Sequence, residues 1–473
     1  MLDKIVSCTQ LSASSNSTKI PMFSLLLFTA MLLMGNMVMG QEVTTTKSVI
    51  PLAVFAPQST AGGLIAADLN NDGARELLVT VPGSIGAYGT DGKQLWSKHI
   101  DVRVGGTSES YGLPGHHGPG VQAGDINGDS KTEVIFFDQE STLHVLRGDN
   151  GQELWSIKLQ PPAGAQRWEH VIIANFRGKG DRDLLMQATN AKGYRTGRYL
   201  AAYSVKSLQA GKNEPLWQRN DFVSCAHNGA RLADLDGDGK DEVLGATILG
   251  PDGALRVIVD VKGHIDSIFV GDVRPDLPGL EVVMLEEGPL NRIFLVGISG
   301  LIWETHHKHI EPQNATIGLF VPGLPEMQIW CRSRFNEHQT PFLINAHGSL
   351  LSEYKMDDVA PKGWTLRGME VIHGINWSGE ERMYACAKER HKSGDVCIFD
   401  PVSGRFLLRL PEKADRLYVA DVSGDWREEI IVWSGNELHI YSNPQPNPRP
   451  EIPRLWTSPH YRRSKMTWNY YSP

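Results

Sequence analysis

The feature that most constrains the fold is a repeat in which an apolar strand runs into a short acidic loop and a second apolar strand follows. From Gly62 onward eight segments open in this way, and the first residues of the first and last loops, Asp68 and Asp421, imply a spacing of about 50 residues. Four short strands per unit at this period are typical of a β-propeller. We therefore predict an all-β fold, a single propeller with eight blades, or seven because the sixth and seventh units are degenerate.

The predicted propeller occupies residues 62–473, after a targeting segment at residues 1–40 and a linker or first strand at residues 41–61. Residues 22–39 form an uncharged apolar run, and small residues precede a cleavage point ahead of Gln41. A signal peptide and a secreted or periplasmic protein are expected, with no membrane span after cleavage. The alternative is an uncleaved anchor, since about 18 apolar residues nearly span a bilayer. Residues 443–473 are expected to add one more Leu-Trp strand that closes the ring.

The composition limits the classes of partner that this protein is expected to bind. The net charge is −8 and no run of lysine and arginine exceeds two residues, which argues against a nucleic-acid partner. The cysteines after residue 40 are too sparse for a disulfide framework, and Cys386 and Cys397 are either a bridge or, as we favour, buried thiols. The sequence carries no signal of an oligomeric state.

Three acidic loops have the spacing of a calcium site. Oxygen ligands at relative positions 1, 3, 5 and 9, with glycine at position 4 or 6, suit a structural Ca²⁺ ion. The predicted ligands are Asp68, Asn70, Asp72 and Glu76 in the first unit, Asp125, Asn127, Asp129 and Glu133 in the second, and Asp234, Asp236, Asp238 and Glu242 in the fourth. The third loop contains Arg177 and Lys179, which exclude a cation. The alternative is an Asp/Gly-rich turn that binds no metal.

A second pattern precedes the first strand of four successive units, where a histidine stands five to eight residues before the loop. In a propeller the first strand of each blade runs from one face to the other, so these histidines should surround the central axis on the face opposite the acidic loops. They are His117, His170, His227 and His264. The loop between the second and third strands returns to the same face. In the third unit it adds Tyr194, Arg195, Arg198 and Tyr199, and in the sixth it adds Arg332 and Arg334.

These residue types suit one kind of chemistry. Proton abstraction beside a carboxylate needs a cation, a base with a pKa near neutral and an acid for the leaving oxygen. Histidine, arginine and tyrosine meet these needs, although each histidine alone is also consistent with a satisfied loop hydrogen bond. A glycoside hydrolase would need two carboxylates that face the bond. Glu169 and Asp266 are the main acidic residues on this face, so hydrolysis ranks lower.

Several segments resemble known families. The loop DLDGDGKDE is similar to FG-GAP propeller repeats, which adhesion receptors share with polysaccharide-active enzymes. Together with GHIDSIFVGDVRPDLPGLEVVMLEE and DVSGDWREEIIVW, it resembles the rhamnogalacturonan lyases of the eleventh polysaccharide lyase family, which are eight-bladed propellers that contain calcium. The segments YGLPGHHGPGVQAGDINGD and HVIIANFRGKGDRDLLMQATN look closer to lyases that cut rhamnosyl-α-1,4-glucuronate linkages, including ulvan lyases. The similarity covers most of residues 62–473.

The resemblance implies a lyase that cleaves rhamnose from O4 of a uronate by β-elimination, with glucuronate favoured and an acidic, rhamnose-containing polysaccharide as substrate. It implies His117 as base or acid, Arg198 for the carboxylate, and Tyr194, His170 or His227 as the catalytic partner. The substrate-binding residues would be His116, Arg195, Tyr199, His264, Arg332 and Arg334. The competing interpretation is a non-catalytic propeller that binds a glycan or a protein.

Overall fold

The computed structural model describes residues 43–52, 61–105, 117–189, 198–227, 229–334, 337–389 and 391–468. Across these residues the strands form eight four-stranded antiparallel sheets, each with its strands in sequential order except the last. The predicted eight-bladed propeller is therefore confirmed, and the alternative of seven blades is wrong. The predicted leader at residues 1–40 lies outside the described residues.

The strands are short and follow one another blade by blade. The chain begins with β1 (Thr46–Pro51), which completes the last blade. Blade 1 contains β2 (Gly63–Ala67), β3 (Glu76–Val81), β4 (Ser84–Tyr88) and β5 (Gln94–His99). Blade 2 contains β6 (Val121–Gly124), β7 (Glu133–Phe137), β8 (Thr142–Arg147) and β9 (Glu153–Lys158). Blade 3 contains β10 (Arg167–Ala174), β11 (Asp183–Thr189), β12 (Tyr199–Ser204) and β13 (Trp217–Arg219), with α1 (Val205–Gln209) before β13. Blade 4 contains β14 (Arg231–Ala233), β15 (Glu242–Leu244), β16 (Thr247–Leu249) and β17 (Leu255–Ile258).

Blades 5 to 8 repeat this arrangement of four short strands. Blade 5 contains β18 (His264–Gly271), β19 (Glu281–Glu287), β20 (Ile293–Gly297) and β21 (Gly300–Thr305). Blade 6 contains β22 (Ala315–Gly318), β23 (Gln328–Cys331), β24 (Phe342–Ile344) and β25 (Leu350–Glu353), followed by α2 (Met356–Val359). Blade 7 contains β26 (Glu370–Ile375), β27 (Tyr384–Lys388), β28 (Val396–Phe399) and β29 (Phe406–Leu410). Blade 8 contains β30 (Arg416–Ala420), β31 (Glu429–Ser434) and β32 (Glu437–Ser442), and the chain ends in a 3-10 helix (Leu455–Thr457) and α3 (Pro459–Met466).

The first and second strands of a blade are largely buried on both faces because each blade packs against two neighbours. All residues of β3 and β7 are buried, whereas β9 at the rim alternates between exposed and half-buried positions. The recurrent Leu-Trp pairs sit on outer strands and join adjacent blades. Indole N–H groups donate across three blade boundaries: Trp96 to Gly148 O at 2.6 Å, Trp217 to Pro251 O at 2.8 Å and Trp303 to Ala346 O at 2.9 Å.

The carboxylate at position 9 of each acidic loop has a role that does not depend on metal. It accepts the N–H of the residue at position 2: Glu76 from Leu69 at 2.7 Å, Glu133 from Ile126 at 3.1 Å and Glu242 from Leu235 at 2.9 Å. In blade 6 the amide of Gln328 accepts the N–H of Phe320 at 2.8 Å in the same way. The loop geometry therefore repeats in blades that have lost their aspartates.

Blade 8 closes the ring by pairing β1 with β32, in a register that runs from Thr46 opposite Ser442 to Pro51 opposite Glu437. The sequence prediction that residues 443–473 add the closing strand is wrong. The 3-10 helix and α3 form there instead, because Ser458 caps α3 by accepting the N–H of Tyr461 and Pro459 fits its first turn.

The tail packs into the centre of the ring, where α3 contacts the inner strands β2, β6 and β14. Gln122 Nε2 on β6 donates to Met466 O at 2.8 Å. Trp468 Nε1 lies 2.9 Å from His373 Nε2 on β26, and the two rings stack with centroids 6.0 Å apart. Earlier in the tail, Trp456 Nε1 donates to Asp421 O in the last acidic loop at 2.6 Å, so the tail is a plug that enters from the acidic-loop face.

Two further expectations can be compared with the described part of the chain. Cys225, Cys331, Cys386 and Cys397 are buried and none of these four is joined in a disulfide, which confirms buried thiols in place of a bridge. Among the described residues no helix is long and apolar enough to cross a bilayer.

Candidate functional site

The face opposite the acidic loops, called here the funnel face, is reached by the residues before each first strand and by the loops between second and third strands. Its most concentrated group of titratable side chains lies where blades 4 and 5 meet. His227 precedes β14, His264 opens β18, and their ring centroids are 5.8 Å apart. Two of the four sequence-predicted histidines are therefore neighbours.

Two carboxylates complete this cluster. His227 Nε2 lies 2.6 Å from Asp266 Oδ1, and His264 Nε2 lies 3.3 Å from Glu287 Oε2 and 4.0 Å from Asp266 Oδ1. His227 and Asp266 are each only 1% exposed, whereas His264 and Glu287 are partly open to solvent. One ligand atom from each of the four residues falls within 4.8 Å of all the others. Imidazole nitrogen and carboxylate oxygen together are a donor set that can hold a divalent cation.

A β-bulge explains how Asp266 turns toward His227. The pairing of β18 with β19 shifts between Ile265 and Ser267, so Asp266 is the extra residue. Bulges re-aim a side chain and are frequent beside functional sites. The inner strand of blade 3 is bulged at Glu169 and that of blade 7 at Val371, in both cases near the funnel end. Sequence alone places Asp266 beside His264, but the structure brings it closer to His227.

Arg334 supplies a cation at the edge of the cluster. Its Nη1 lies 2.8 Å from Glu311 Oε1 and 3.3 Å from Glu287 Oε2. A hydrogen bond from His264, the charge of Arg334 and the nearby imidazoles lower the pKa of Glu287 to about 2. Glu311 is fully buried, and burial raises its pKa to about 7 despite the pairing with Arg334.

Arg332, two residues earlier, points to the other neighbouring blade. Its guanidinium pairs with Glu370 of blade 7, and its Nη2 lies 3.3 Å from Gln313 Oε1. His391 Nε2 lies 3.4 Å from Glu370 Oε2. Arg332 and Arg334 thus connect the cluster of blades 4 and 5 with a histidine–carboxylate pair on blade 7.

The blade 3 histidine is in a different environment. His170 is 5% exposed, and burial together with the charge of Arg231 lowers its pKa to about 3. Beside it, Glu169 pairs with Arg167 and lies 3.9 Å from Arg103, while burial raises its pKa to about 7. At neutral pH His170 is an uncharged, shielded imidazole.

His117 is fixed by its backbone. Its φ of 57° is left-handed, and Gly63 approaches so closely that a Cβ there would lie 2.4 Å from His117 O. Arg198 is exposed just before β12. The Tyr199 hydroxyl donates to Gln218 Oε1 at 2.5 Å on the outermost strand of blade 3, away from the cluster. His116, Tyr194 and Arg195 lie outside the described residues.

Four funnel-face residues were missed by sequence reasoning: Glu287, Glu311, Glu370 and His391. A signal for Glu287 did exist, because the second strand of each blade ends on this face and VVMLEE ends in two glutamates. Glu370 opens the inner strand of blade 7, in the position that His264 occupies in blade 5. His391 lies in the loop after β27, where nothing in the sequence marks its partner.

The predicted calcium loops differ in their surroundings. In blade 4 one oxygen from each of Asp234, Asp236 and Asp238 falls within a 4.8 Å group. In blade 1 Arg75 Nη1 lies 3.4 Å from Asp68 Oδ2, and in blade 2 Arg182 Nη2 lies 3.3 Å from Asp125 Oδ2. In blade 4 Lys240 Nζ likewise lies 2.7 Å from Asp238 Oδ2, so the blade 4 loop differs from the other two in its three converging carboxylates and not in lacking a paired cation.

The fold and the site together define an eight-bladed β-propeller with acidic loops on one face and an imidazole–carboxylate cluster, flanked by arginines, on the other. Comparison with curated proteins then places the chain beside two relatives from Bacillus subtilis (strain 168). It is 24% identical over 420 residues to the rhamnogalacturonan exolyase YesX and 23% identical over 439 residues to the rhamnogalacturonan endolyase YesW. The resemblance to rhamnogalacturonan lyases predicted from the sequence is thus confirmed.

These matches cover 76% and 80% of this chain, but 64% and 63% of the relatives, so the chain spans just under two thirds of their length. No family model matches the chain.

Solved structures agree on the fold. The exotype rhamnogalacturonan lyase YesX superposes with a TM-score of 0.66 at 19% identity, over 90% of this chain and 82% of that one. A Bacillus licheniformis rhamnogalacturonan lyase, PL11, gives 0.65 at 20% identity, over 90% and 81%. The V. cholerae biofilm matrix protein Bap1 gives 0.55 at 12% identity, over 85% and 92%. At such identities the likeness establishes the propeller alone, and function has to be argued from the site.

Proposed function

We propose that this protein is a polysaccharide lyase that cleaves rhamnose–uronate linkages by β-elimination and leaves a 4,5-unsaturated uronate. The observation that carries the proposal is the cluster of His227, His264, Asp266 and Glu287 beside Arg334 on the funnel face. The sequence similarity to two rhamnogalacturonan lyases supports the same reaction class.

The first requirement of the reaction is a neutralised carboxylate, because the C5 proton of a uronate is acidic only when the adjacent carboxylate is neutralised. Arg334 offers a planar guanidinium that is about one third exposed and suits a carboxylate. A divalent cation held by the four-residue cluster would add a second positive charge at the same place. Asp266 holds the His227 ring and Arg334 holds Glu287, so the ligand atoms are already converged.

The second requirement is proton transfer. A base takes the C5 proton, the electron pair forms the C4–C5 double bond, the C4–O4 bond breaks, and O4 leaves with a proton from an acid. We assign proton transfer to His117, which is half-buried on the funnel face and held in place by Gly63. Arg198 is proposed as a further cation for substrate. His170 is less suited as the base, because its pKa of about 3 makes it a weak acceptor.

Two polymers suit the site. The names of the relatives favour rhamnogalacturonan, in which the uronate is galacturonate. The resemblance of the second and third units favours rhamnosyl-glucuronate polymers such as ulvan or gum arabic. Structural calcium, first in the blade 4 loop, and secretion by the leader at residues 1–40 belong to the same proposal.

The test is the ultraviolet absorbance of the unsaturated uronate while the purified protein, with calcium, is incubated with rhamnogalacturonan, ulvan and gum arabic in parallel. The wild type should produce a rise with one polymer. Glu287→Gln and Arg334→Met should each reduce the rate roughly 100-fold. His347→Ala is the matched control, because His347 is exposed on the turn between β24 and β25 at the opposite face.

No rise with any polymer from a folded, calcium-loaded protein would refute the lyase. A rise that survives both funnel-face substitutions would place the reaction elsewhere.

A further inference from the structure

A cavity lies on the acidic-loop face, at the opposite ends of the inner strands from the funnel face. It has a volume of about 430 Å³ and lies between the loops of blades 1 to 3 and the C-terminal plug. Four arginines define it, and it is called here the arginine pocket: Arg75, Arg182, Arg462 and Arg463. The volume falls within the roughly 300–1,000 Å³ of small-molecule sites.

Each arginine already faces an aspartate of the same pocket. Arg75 lies 3.4 Å from Asp68 and Arg182 lies 3.3 Å from Asp125. Asp181 receives two cations, Arg463 at 2.7 Å and Arg462 at 3.9 Å.

Four guanidinium groups thus meet three carboxylates in the lining, and Arg463 is further neutralised by Asp241 at 2.8 Å. The pocket carries almost no net charge but many fixed, planar donors and acceptors.

The balance of positive and negative charge in the pocket favours some classes of ligand over others. A carboxylate ligand would compete with the aspartates for the same guanidinium groups, and a cation would meet the four arginines. A neutral polyol fits both halves of the lining, because one hydroxyl can donate to a carboxylate and accept from a guanidinium. Apolar surface from Ala67, Ala123, Ile173 and Met466 is interspersed with these groups and suits the C–H face of a sugar ring.

We propose that the arginine pocket binds a neutral saccharide of the rhamnose or hexose type, at a site distinct from the funnel face. Occupation of this pocket by one part of a polymer would hold the chain on the protein and raise its effective concentration at the funnel. The proposal concerns binding alone, so it stands or falls independently of the lyase reaction.

The experiment is a titration with L-rhamnose, D-galactose and D-galacturonate, followed by intrinsic tryptophan fluorescence, since Trp456 lines the pocket under Arg75 at 5.2 Å. We expect saturable binding of at least one neutral sugar at the arginine pocket, whereas binding of galacturonate at the funnel face should be unaffected by changes to the pocket arginines. Arg182→Leu and Arg462→Leu should each weaken that binding about tenfold. Arg462 is 37% exposed, so its variant should fold even if the Arg182 variant does not.

Arg256→Leu serves as the control, because Arg256 forms a similar exposed pair with Asp252 at 3.4 Å on the outer strand of blade 4. Neutral-sugar binding should be unchanged in this control. The proposal is overturned if neither neutral sugar saturates, if Arg462→Leu binds the neutral sugars as tightly as wild type, or if the arginine-pocket variants weaken galacturonate binding as much as neutral-sugar binding.

Discussion

Arg463 of the C-terminal plug gives the sharpest test of how the centre of the propeller is held together. Its Nη2 lies 2.7 Å from Asp181 Oδ1 and 2.8 Å from Asp241 Oδ2, and the arginine side chain is 8% exposed. Arg463→Met keeps most of the side-chain length but removes the cation beside Asp241 and leaves Asp181 with only the more distant Arg462. Removing one partner of a buried ion pair costs about 3–5 kcal/mol.

The corresponding change in melting temperature follows from the size of the unit. The entropy of unfolding is about 2.1 cal/mol/K per residue, or roughly 0.9 kcal/mol/K for the unit from Val43 to Pro473. Arg463→Met should therefore lower Tm by about 3 to 6 °C in a thermal melt. Arg462→Met is the matched control, since Arg462 is 37% exposed and lies 3.9 Å from Asp181. An exposed pair of this kind contributes about 0–1 kcal/mol, so Tm should move by about 1 °C or less.

A double variant separates lost charge pairing from lost packing. Arg463→Met combined with Asp241→Asn removes one of the stranded charges and should recover part of the loss. Equal melting temperatures for the Arg463 and Arg462 variants would refute the reasoning that the plug is anchored through these buried carboxylates.

Three further predictions concern other parts of the molecule. Gly63→Ala should destabilise the protein by about 1–3 kcal/mol and reduce lyase activity, because the new Cβ would clash with His117 O. Gly297→Ala is the control, because a Cβ there makes only ordinary van der Waals contacts. Equal chemical denaturation midpoints for the two variants would contradict the prediction. Burial raises the pKa of Glu412, but hydrogen bonds from Tyr441, Lys47 and His439 outweigh the effect of burial and hold this pKa below its usual value. The ionised carboxylate therefore stabilises the fold at pH values above its unfolded pKa of about 4.3, and this stabilisation is lost as the pH falls through the lower folded pKa. Glu412→Gln should accordingly lower Tm at pH 6 but not in strong acid, and a Tm difference independent of pH would count against this. Asp236→Asn should lower Tm, and EDTA should lower the Tm of this variant less than it lowers that of the wild type. If EDTA leaves the wild-type Tm unchanged, the prediction of a calcium ion in the blade 4 loop is wrong.

The fold could be predicted from the sequence because the pattern of strand, acidic loop and strand recurs in blade after blade. Each loop that starts at a residue such as Asp68 or Asp234 is followed by an apolar strand, so one misread blade leaves the period intact. The closure was not readable, because β1 and β32 pair across nearly the whole chain and β1 is only six residues long. The tail was misread because its Leu-Trp pair looks like those on the outer strands, although Pro459 and the Ser458 cap start a helix just beyond it.

The site was readable in part for a similar reason. The position before each inner strand is fixed by topology, so His227 and His264 could be placed on one face. Which carboxylates meet them depends on the bulge at Asp266 and on the end of β19, where Glu287 lies. The pair of Glu370 and His391 joins two separate segments of blade 7 through a side-chain contact that no local pattern encodes.

Ring closure has a consequence for how the protein is made. Blade 8 combines β1, the first strand to be synthesised, with β30 to β32, which emerge almost four hundred residues later, and the plug follows after them. Until then the apolar faces of blades 1 and 7 that pack against blade 8 are exposed, and exposed apolar surface of this kind promotes aggregation. A chaperone that shields nascent chains should therefore raise the yield of folded protein. It acts before the ring is closed, at a stage that the melting temperature of the finished protein does not report.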